Sequence, residues 1–160
     1  MTVQKHSFQP ITTTQHMDAA MHYIATQAAK LEQAVLGKGL PVDTVCFFAQ
    51  SAAEYDFLLA AVKKHGPISK FTHGATTYVD CDLTIDGHHI TILGVRQPDP
   101  ARPWIGYGDY PAAHYKRLLI DQSSNPFAHE ITSGRGQSLL ELRHPDFDVL
   151  GYVAAAEEHH

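Results

Sequence analysis

The stretch that most constrains this chain is Ala75–Gln97, ATTYVDCDLTIDGHHITILGVRQ. Asp86-Gly87 tolerates the positive φ angles of a two-residue turn, so the segment reads as a β-hairpin. That turn sets Ile85 opposite His88, Thr84 opposite His89 and Leu83 opposite Ile90. Continuing outward, Asp82 faces Thr91, Cys81 faces Ile92 and Asp80 faces Leu93. Side chains alternate along a strand, so one face carries Val79, Cys81, Leu83, Ile85, Ile90 and Ile92. The other carries Tyr78, Asp80, Asp82, Thr84, His89, Thr91 and Leu93. The second face has two readings. It is the wet side of an antiparallel sheet, or it is the floor of a cup with two carboxylates and an imidazole pointing inward.

A chain of 160 residues with 44% hydrophobic and 18% charged content supports one globular domain with a core. Its net charge of -5 argues against nucleic acid as a partner, because a phosphate backbone asks for a basic stripe and Lys63-Lys64 is only a pair. No apolar run approaches a membrane span. The opening MTVQKHSFQP lacks the apolar segment of a signal peptide, and a cytoplasmic location is expected. Cys46 and Cys81 sit in apolar strand patterns with no CxxC partner, and read as reduced, buried thiols.

Residues 1–14 read as a flexible arm. From Gln15 to Leu36, Met17, Met21, Ile24, Ala28, Leu31 and Val35 recur at helical steps, and Gly37, Gly39 and Pro41 stop the helix. Val42–Gln50 has the composition of a buried strand. Ser51 and Glu54 form a capping box before a helix that ends at Gly66-Pro67, with Tyr55, Leu58, Leu59 and Val62 on its buried face. After the hairpin, QPDPARP can be neither helix nor strand. Trp104–Tyr110 alternates as a strand, and Pro111 is placed to open a helix, PAAHYKRLLID. Three short strands follow, over 128–133, 137–143 and 149–154, with His144-Pro145-Asp146 as a tight connection. Residues 155–160 form a tail.

The order strand-helix-strand-strand over 42–97 recurs, with one more strand, over 104–154. The expected fold is therefore α+β: two tandem βαββ(β) modules sharing a mainly antiparallel curved sheet, plus an extra N-terminal helix (15–40) packed on one module, in a single domain spanning 15–154. Ferredoxin-like duplicates follow similar strand-helix-strand patterns. The tandem order, with His144-Pro145-Asp146-Phe147-Asp148 before the last strand, resembles the vicinal oxygen chelate superfamily of glyoxalases, extradiol dioxygenases and bleomycin-resistance proteins. The resemblance covers about 42–154. It implies a cup, and in enzymatic members a divalent metal held by His, Glu or Gln on the first and last strands of each module. This chain departs there. Thr44–Phe48 offers no ligand, Gly106 stands where a histidine is wanted, and Gly151 takes the place of the final-strand Glu. The resemblance thus implies a ligand-binding role without the metal.

The candidate ligand-binding residues are Tyr78, Asp80, Asp82, His89 and Thr91 on the hairpin, Arg96, Trp104 and Tyr107 around the proline-rich connection, and Glu141. Arginine beside aromatic rings suits an anionic or planar ligand. Three function classes follow. The first is a small-molecule-binding protein on a glyoxalase/bleomycin-resistance-like scaffold, with no cofactor. The second is a metal-dependent lyase or dioxygenase whose metal sits on Asp80, Asp82 and His89. The third is a dimerisation module using the N-terminal helix to form a homodimer. No Ser-His-Asp, P-loop or Rossmann signature is present, and catalysis stays open.

Overall fold

The computed structural model describes residues 10–156, so most of the expected arm and the end of the expected tail lie outside the described residues. The first helix, α1 (Thr14–Val35), starts where the Thr13 side chain accepts from the backbone N–H of His16. Its apolar stripe turns inward: Met17, Met21, Ile24, Ala28 and Leu31 are all buried. Each large side chain of that stripe contributes about 1.5–3 kcal/mol of burial free energy. Glu32 is buried too, and its carboxylate accepts from the backbone N–H groups of Lys38 and Gly39 at 3.0 Å each, which closes the helix end.

The chain then alternates β1 (Thr44–Phe48), α2 (Ala52–Val62), a 3-10 turn over Lys63–His65, β2 (Thr76–Ile85) and β3 (His88–Arg96). The second half runs β4 (Gly106–Ala112), α3 (Tyr115–Asp121), β5 (Ala128–Thr132), β6 (Ser138–Leu142) and β7 (Val149–Ala155). Ser51 caps α2 as the sequence predicts, accepting from Glu54 N–H at 3.1 Å. The Glu54 carboxylate accepts from Gln50 N–H and also from the N–H of buried Ile11, which pins the chain ahead of α1.

The seven strands form one open sheet in the order β2-β3-β1-β4-β7-β6-β5. It is mixed. β1 runs parallel to β3 and β4 parallel to β7, and the other pairs are antiparallel. In each half the first and last strands are thus parallel neighbours. The halves meet where β1 and β4 pair antiparallel.

One face of the sheet carries the main core, against α1, α2 and α3. The expectation that α1 packs on one module is corrected: it touches β4, β7 and β1, across the junction of the halves. Glycines make that approach possible. A Cβ on Gly108 would stand 2.7 Å from Ala28 Cβ, and one on Gly106 would stand 2.9 Å from Ile24 Cδ1. The Tyr110 ring lies over Gly151, and its hydroxyl donates to the Ala28 carbonyl. Pro111 does not open a helix. It sits inside β4, paired with Ala154, and α3 starts four residues later. β1 begins only at Thr44, opposite Asp109, so the ladder on that side has ended before Pro111 needs an N–H.

The hairpin turn is as expected, with Asp86 and Gly87 at φ 49° and 81°. Register holds through Leu83–Ile90 and then shifts. Asp80 pairs with Ile92 and Val79 with Leu93, because a bulge places both Cys81 and Asp82 opposite Thr91. A one-residue slip exchanges faces. Ile92 therefore leaves the expected apolar face for the helix-free side, and Leu93 enters the main core.

Candidate functional site

The helix-free face holds a smaller apolar cluster of Cys46, Phe48, Tyr107, Leu150 and Tyr152, with Tyr78 and Leu139 packed against it. Over this floor opens a cavity of about 240 Å³. Strand parity explains its lining. Thr44 and Phe48 on β1, Ile92 and Arg96 on β3, Tyr107 and Asp109 on β4, and Tyr152 and Ala154 on β7 alternate towards the same side. The walls come from irregular chain. Phe71 and His73 stand in the loop before β2, and Ser133–Gln137 form the turn between β5 and β6. The Arg135 guanidinium lies 4.7 Å from the Phe71 ring centroid, so wall meets wall across the two halves.

The floor is made by a tyrosine pair. Tyr78 and Tyr107 hydrogen-bond through their hydroxyls, and Tyr107 sets its edge against Tyr152 at 5.0 Å. Gly94 allows this, because a Cβ there would stand 2.8 Å from the Tyr78 ring and 3.0 Å from Cys46 Sγ. Burial pushes the phenols of Tyr78 and Tyr107 well above the ordinary tyrosine range, and neighbouring acidic groups add to it. Burial raises the Cys46 thiol as well. The floor is therefore protonated and neutral at ordinary pH, a hydrogen-bonding surface rather than a set of anionic ligands.

Positive charge gathers at the rim. Arg96, Arg102 and Arg135 all line the cavity. Asp99 meets both Arg96, at 3.6 Å, and Arg102, at 3.8 Å. Arg96 Nε is buried without a hydrogen-bond partner, and among the described residues no other buried side-chain nitrogen or oxygen is left so.

Of the residues singled out in the sequence, the cavity brings together Tyr78, Arg96 and Tyr107. Asp80, Asp82, His89 and Thr91 do not line it. Beyond the bulge the hairpin's polar side faces outward, and His89 Nε2 meets Asp82 at 2.7 Å with both side chains mostly exposed. The cup floor expected from those acidic residues is corrected accordingly. Trp104 lines a neighbouring cavity. Glu141 stands beside the first one, held by Arg143 at 3.0 Å and bonded to Tyr152. Sequence reasoning missed Phe71, His73, Arg135 and Tyr152. Tyr152 was detectable, since it alternates with Leu150 on the last strand. Arg135, between two turn glycines, carried no signal that separates it from a solvated tip.

A divalent metal, which the family resemblance associates with the first and last strands, does not fit the residues found there. The polar side chains lining the cavity from those strands are a threonine, protonated phenols, an arginine and one carboxylate, Asp109, with the protonated Cys46 thiol buried beneath them. Among the described residues, no group of three or more His, Cys, Asp or Glu side chains is arranged to hold a metal ion. No described helix is long and apolar enough to cross a membrane.

The two halves repeat one path, each with parallel first and last strands, as the resemblance noted in the sequence implies. Among solved structures, the chain is similar to a structural-genomics protein, EC4020, at 12% identity and a TM-score of 0.60, over 96% of this chain and 94% of that one. That likeness is one of fold. A glyoxalase/bleomycin resistance protein/dioxygenase superfamily member from Vibrio splendidus 12B01 matches at 10% identity over 71% of this chain and 97% of its own, with a TM-score of 0.42. The hypothetical protein BH1468 from Bacillus halodurans C-125 matches at 14% identity over 77% and 99%, with a TM-score of 0.45. No protein-family model matches the chain, and no curated protein does.

Proposed function

We propose that this chain binds a small organic anion in the cavity between its two halves, on a glyoxalase/bleomycin-resistance-like scaffold and without a metal. The observation that carries the reading is Arg96 Nε, a buried donor with no protein acceptor, in a cavity that two further arginines also line. A buried unpaired donor costs about 1–3 kcal/mol, and a carboxylate or phosphate oxygen on the ligand offsets that cost. Phe48, Ile92 and Leu139 supply apolar contact for the ligand's body, and the tyrosine hydroxyls of the floor supply orientation. The expectation of no resident metal rests on the neutral, protonated floor. The unpaired thiols Cys46 and Cys81 fit a reducing, cytoplasmic setting. The buried stripe of α1 is spent within the chain, so a homodimer would have to use another surface.

Calorimetry with benzoate and phenyl phosphate, against benzyl alcohol as the uncharged counterpart, tests the reading. We expect an anion to bind and the alcohol to bind at least about tenfold more weakly. Arg96→Met should remove the preference while leaving the fold's melting curve intact. Equal binding of anion and alcohol, or an unchanged preference in Arg96→Met, overturns it.

A further inference from the structure

A second cavity, of about 420 Å³, opens at the end of the second half's strands. Parity places it. On β5, Ile131 lines the first cavity and His129 the second; on β6, Leu139 lines the first, and Arg143, just past that strand, lines the second. Along β7, Tyr152 and Ala154 line the first, and Asp148, just ahead of that strand, lines the second. Residues two or four apart share a face, so the cavities lie end to end along the second half's strands. The divider is Glu141, which holds Arg143 at 3.0 Å and is bonded to Tyr152.

The lining is aromatic and its polar groups are mostly donors. Arg143 lays its guanidinium 4.7 Å from the Trp104 ring centroid. His144 is held between Phe127, at 4.4 Å, and Phe147, at 5.7 Å. Its Nδ1 accepts from the backbone N–H of Asp146 at 3.0 Å, which assigns the neutral imidazole's proton to Nε2 and makes that atom a donor. The one carboxylate of the lining, Asp148, already accepts from the Tyr23 hydroxyl at 2.7 Å. Flat rings therefore offer stacking surface; Arg143 spends one guanidinium N–H on Glu141 and keeps its others, and His144 Nε2 stands beside them as a further donor.

We propose that this cavity is a second binding site, taking a planar aromatic compound that bears one negative group, with its ring against Trp104 and Phe127 and its charge towards Arg143 and His144. The site is separate from the anion cavity over the tyrosine pair and does not rest on that reading. Hydrogen-bonding complementarity sets the ligand class, because an acidic group offers acceptors to the remaining Arg143 N–H groups and to His144 Nε2 that a bare ring system lacks.

Trp104 is the chain's single tryptophan, so the emission has one source, and the Arg143 and Arg96 variants separate the two cavities. The probe is 8-anilinonaphthalene-1-sulfonate, with N-phenyl-1-naphthylamine as the same ring system without the charge. Selective excitation of the indole, followed by energy transfer to the probe, gives the affinity. We expect saturable transfer to the sulfonate, about tenfold tighter than to the neutral amine. Arg143→Met should bring the sulfonate down to the amine's affinity. Phe127→Leu, which keeps apolar volume but removes the ring, should weaken both probes. Arg96→Met, in the other cavity, should change neither titration. The proposal is overturned if the sulfonate does not bind, if the two probes bind equally, or if Arg96→Met rather than Arg143→Met abolishes the preference.

Discussion

The two halves of the sheet follow the same path to different lengths. In the second half the order outward from the junction is β4-β7-β6-β5, and the outermost strand has five residues. In the first half the order is β1-β3-β2, and beyond β2 two isolated bridges, Ile68 with Val79 and His73 with Thr76, stand in the corresponding place. Two backbone bonds hold the Ile68–Val79 bridge: Ser69 N–H donates to the Tyr78 carbonyl at 2.7 Å, and Asp80 N–H donates to the Pro67 carbonyl at 2.9 Å. Pro67 has no N–H to extend the ladder, and Gly66 runs so close to β2 that a Cβ there would stand 1.8 Å from the Asp80 carbonyl oxygen. Past Ser69 the chain leaves the strand path and loops back on β2, held by Thr72 against Tyr78 and by His73 against Thr76. That loop carries Phe71 and His73 over the cavity. The asymmetry between the halves is therefore what builds one wall of the candidate site, and the bulge in β2 begins just past the Ile68–Val79 bridge, where the edge loses its partner.

The largest test of this picture is alkaline pH, because the halves are joined by phenols that burial keeps protonated. Tyr78 comes from the first half and Tyr107 and Tyr110 from the second, and all three are raised well above the ordinary range. In the unfolded chain the same groups ionise near pH ~10. Above that pH the folded state holds more protons than the unfolded state, so the phenols' contribution is full below pH ~10 and falls as pH rises. Each loses about 1.4 kcal/mol per pH unit, or about 4 kcal/mol for the three by pH ~11. Denaturant midpoints across that range should show the loss. Tyr78→Phe and Tyr107→Phe should each take about 1.4 kcal/mol per pH unit out of the slope, the rest coming from the other buried phenols and Cys46; if one flattens it and the other does not, the halves do not share the floor equally.

Much of this architecture was legible in the sequence, and what was not has physical reasons. The hairpin turn, the α1 stripe and the Ser51–Glu54 cap are local devices, and local chemistry specified them. The bulge at Cys81-Asp82 had no such marker. No glycine or proline stands there, and the pairing that creates it depends on β3 lying against β1 as well as β2. Four hairpin residues were therefore assigned to a cup they do not line. Arg96 and Tyr107 were found because an arginine and an aromatic ring flank the proline-rich connection. Phe71 and Arg135 were not, since their role arises only when loops from opposite halves meet.

A substitution in each half sharpens the contrast. Gly66→Ala drives a Cβ into the Asp80 backbone, which has no rotamer to yield, and should cost about 3 kcal/mol by thermal or urea unfolding. Gly134→Ala, in the turn of the second half, meets only the His73 ring, at 3.4 Å, and should stay within about 0.5 kcal/mol. Similar costs at the two positions would mean that the short edge of the first half is not held by the Pro67–Asp80 approach.

The smallest effect is the most direct probe of how the halves meet over the cavity. Arg135 lies 4.7 Å from the Phe71 ring centroid, with Lys70 at 5.4 Å on the same ring. At a half-exposed site a cation over a ring is worth about 0.5–1 kcal/mol. Arg135→Met and Phe71→Leu should each lower stability by no more than that. In a double-mutant cycle their coupling should be about 0.5 kcal/mol, since each change removes the same contact. Lys70 complicates a single substitution at Phe71 but drops out of the cycle, because its contact is lost equally with and without Arg135. Zero coupling would mean that the loop of the first half and the hairpin turn of the second only lie near one another. The cavity wall would then be two independent loops rather than a strap held by charge and ring.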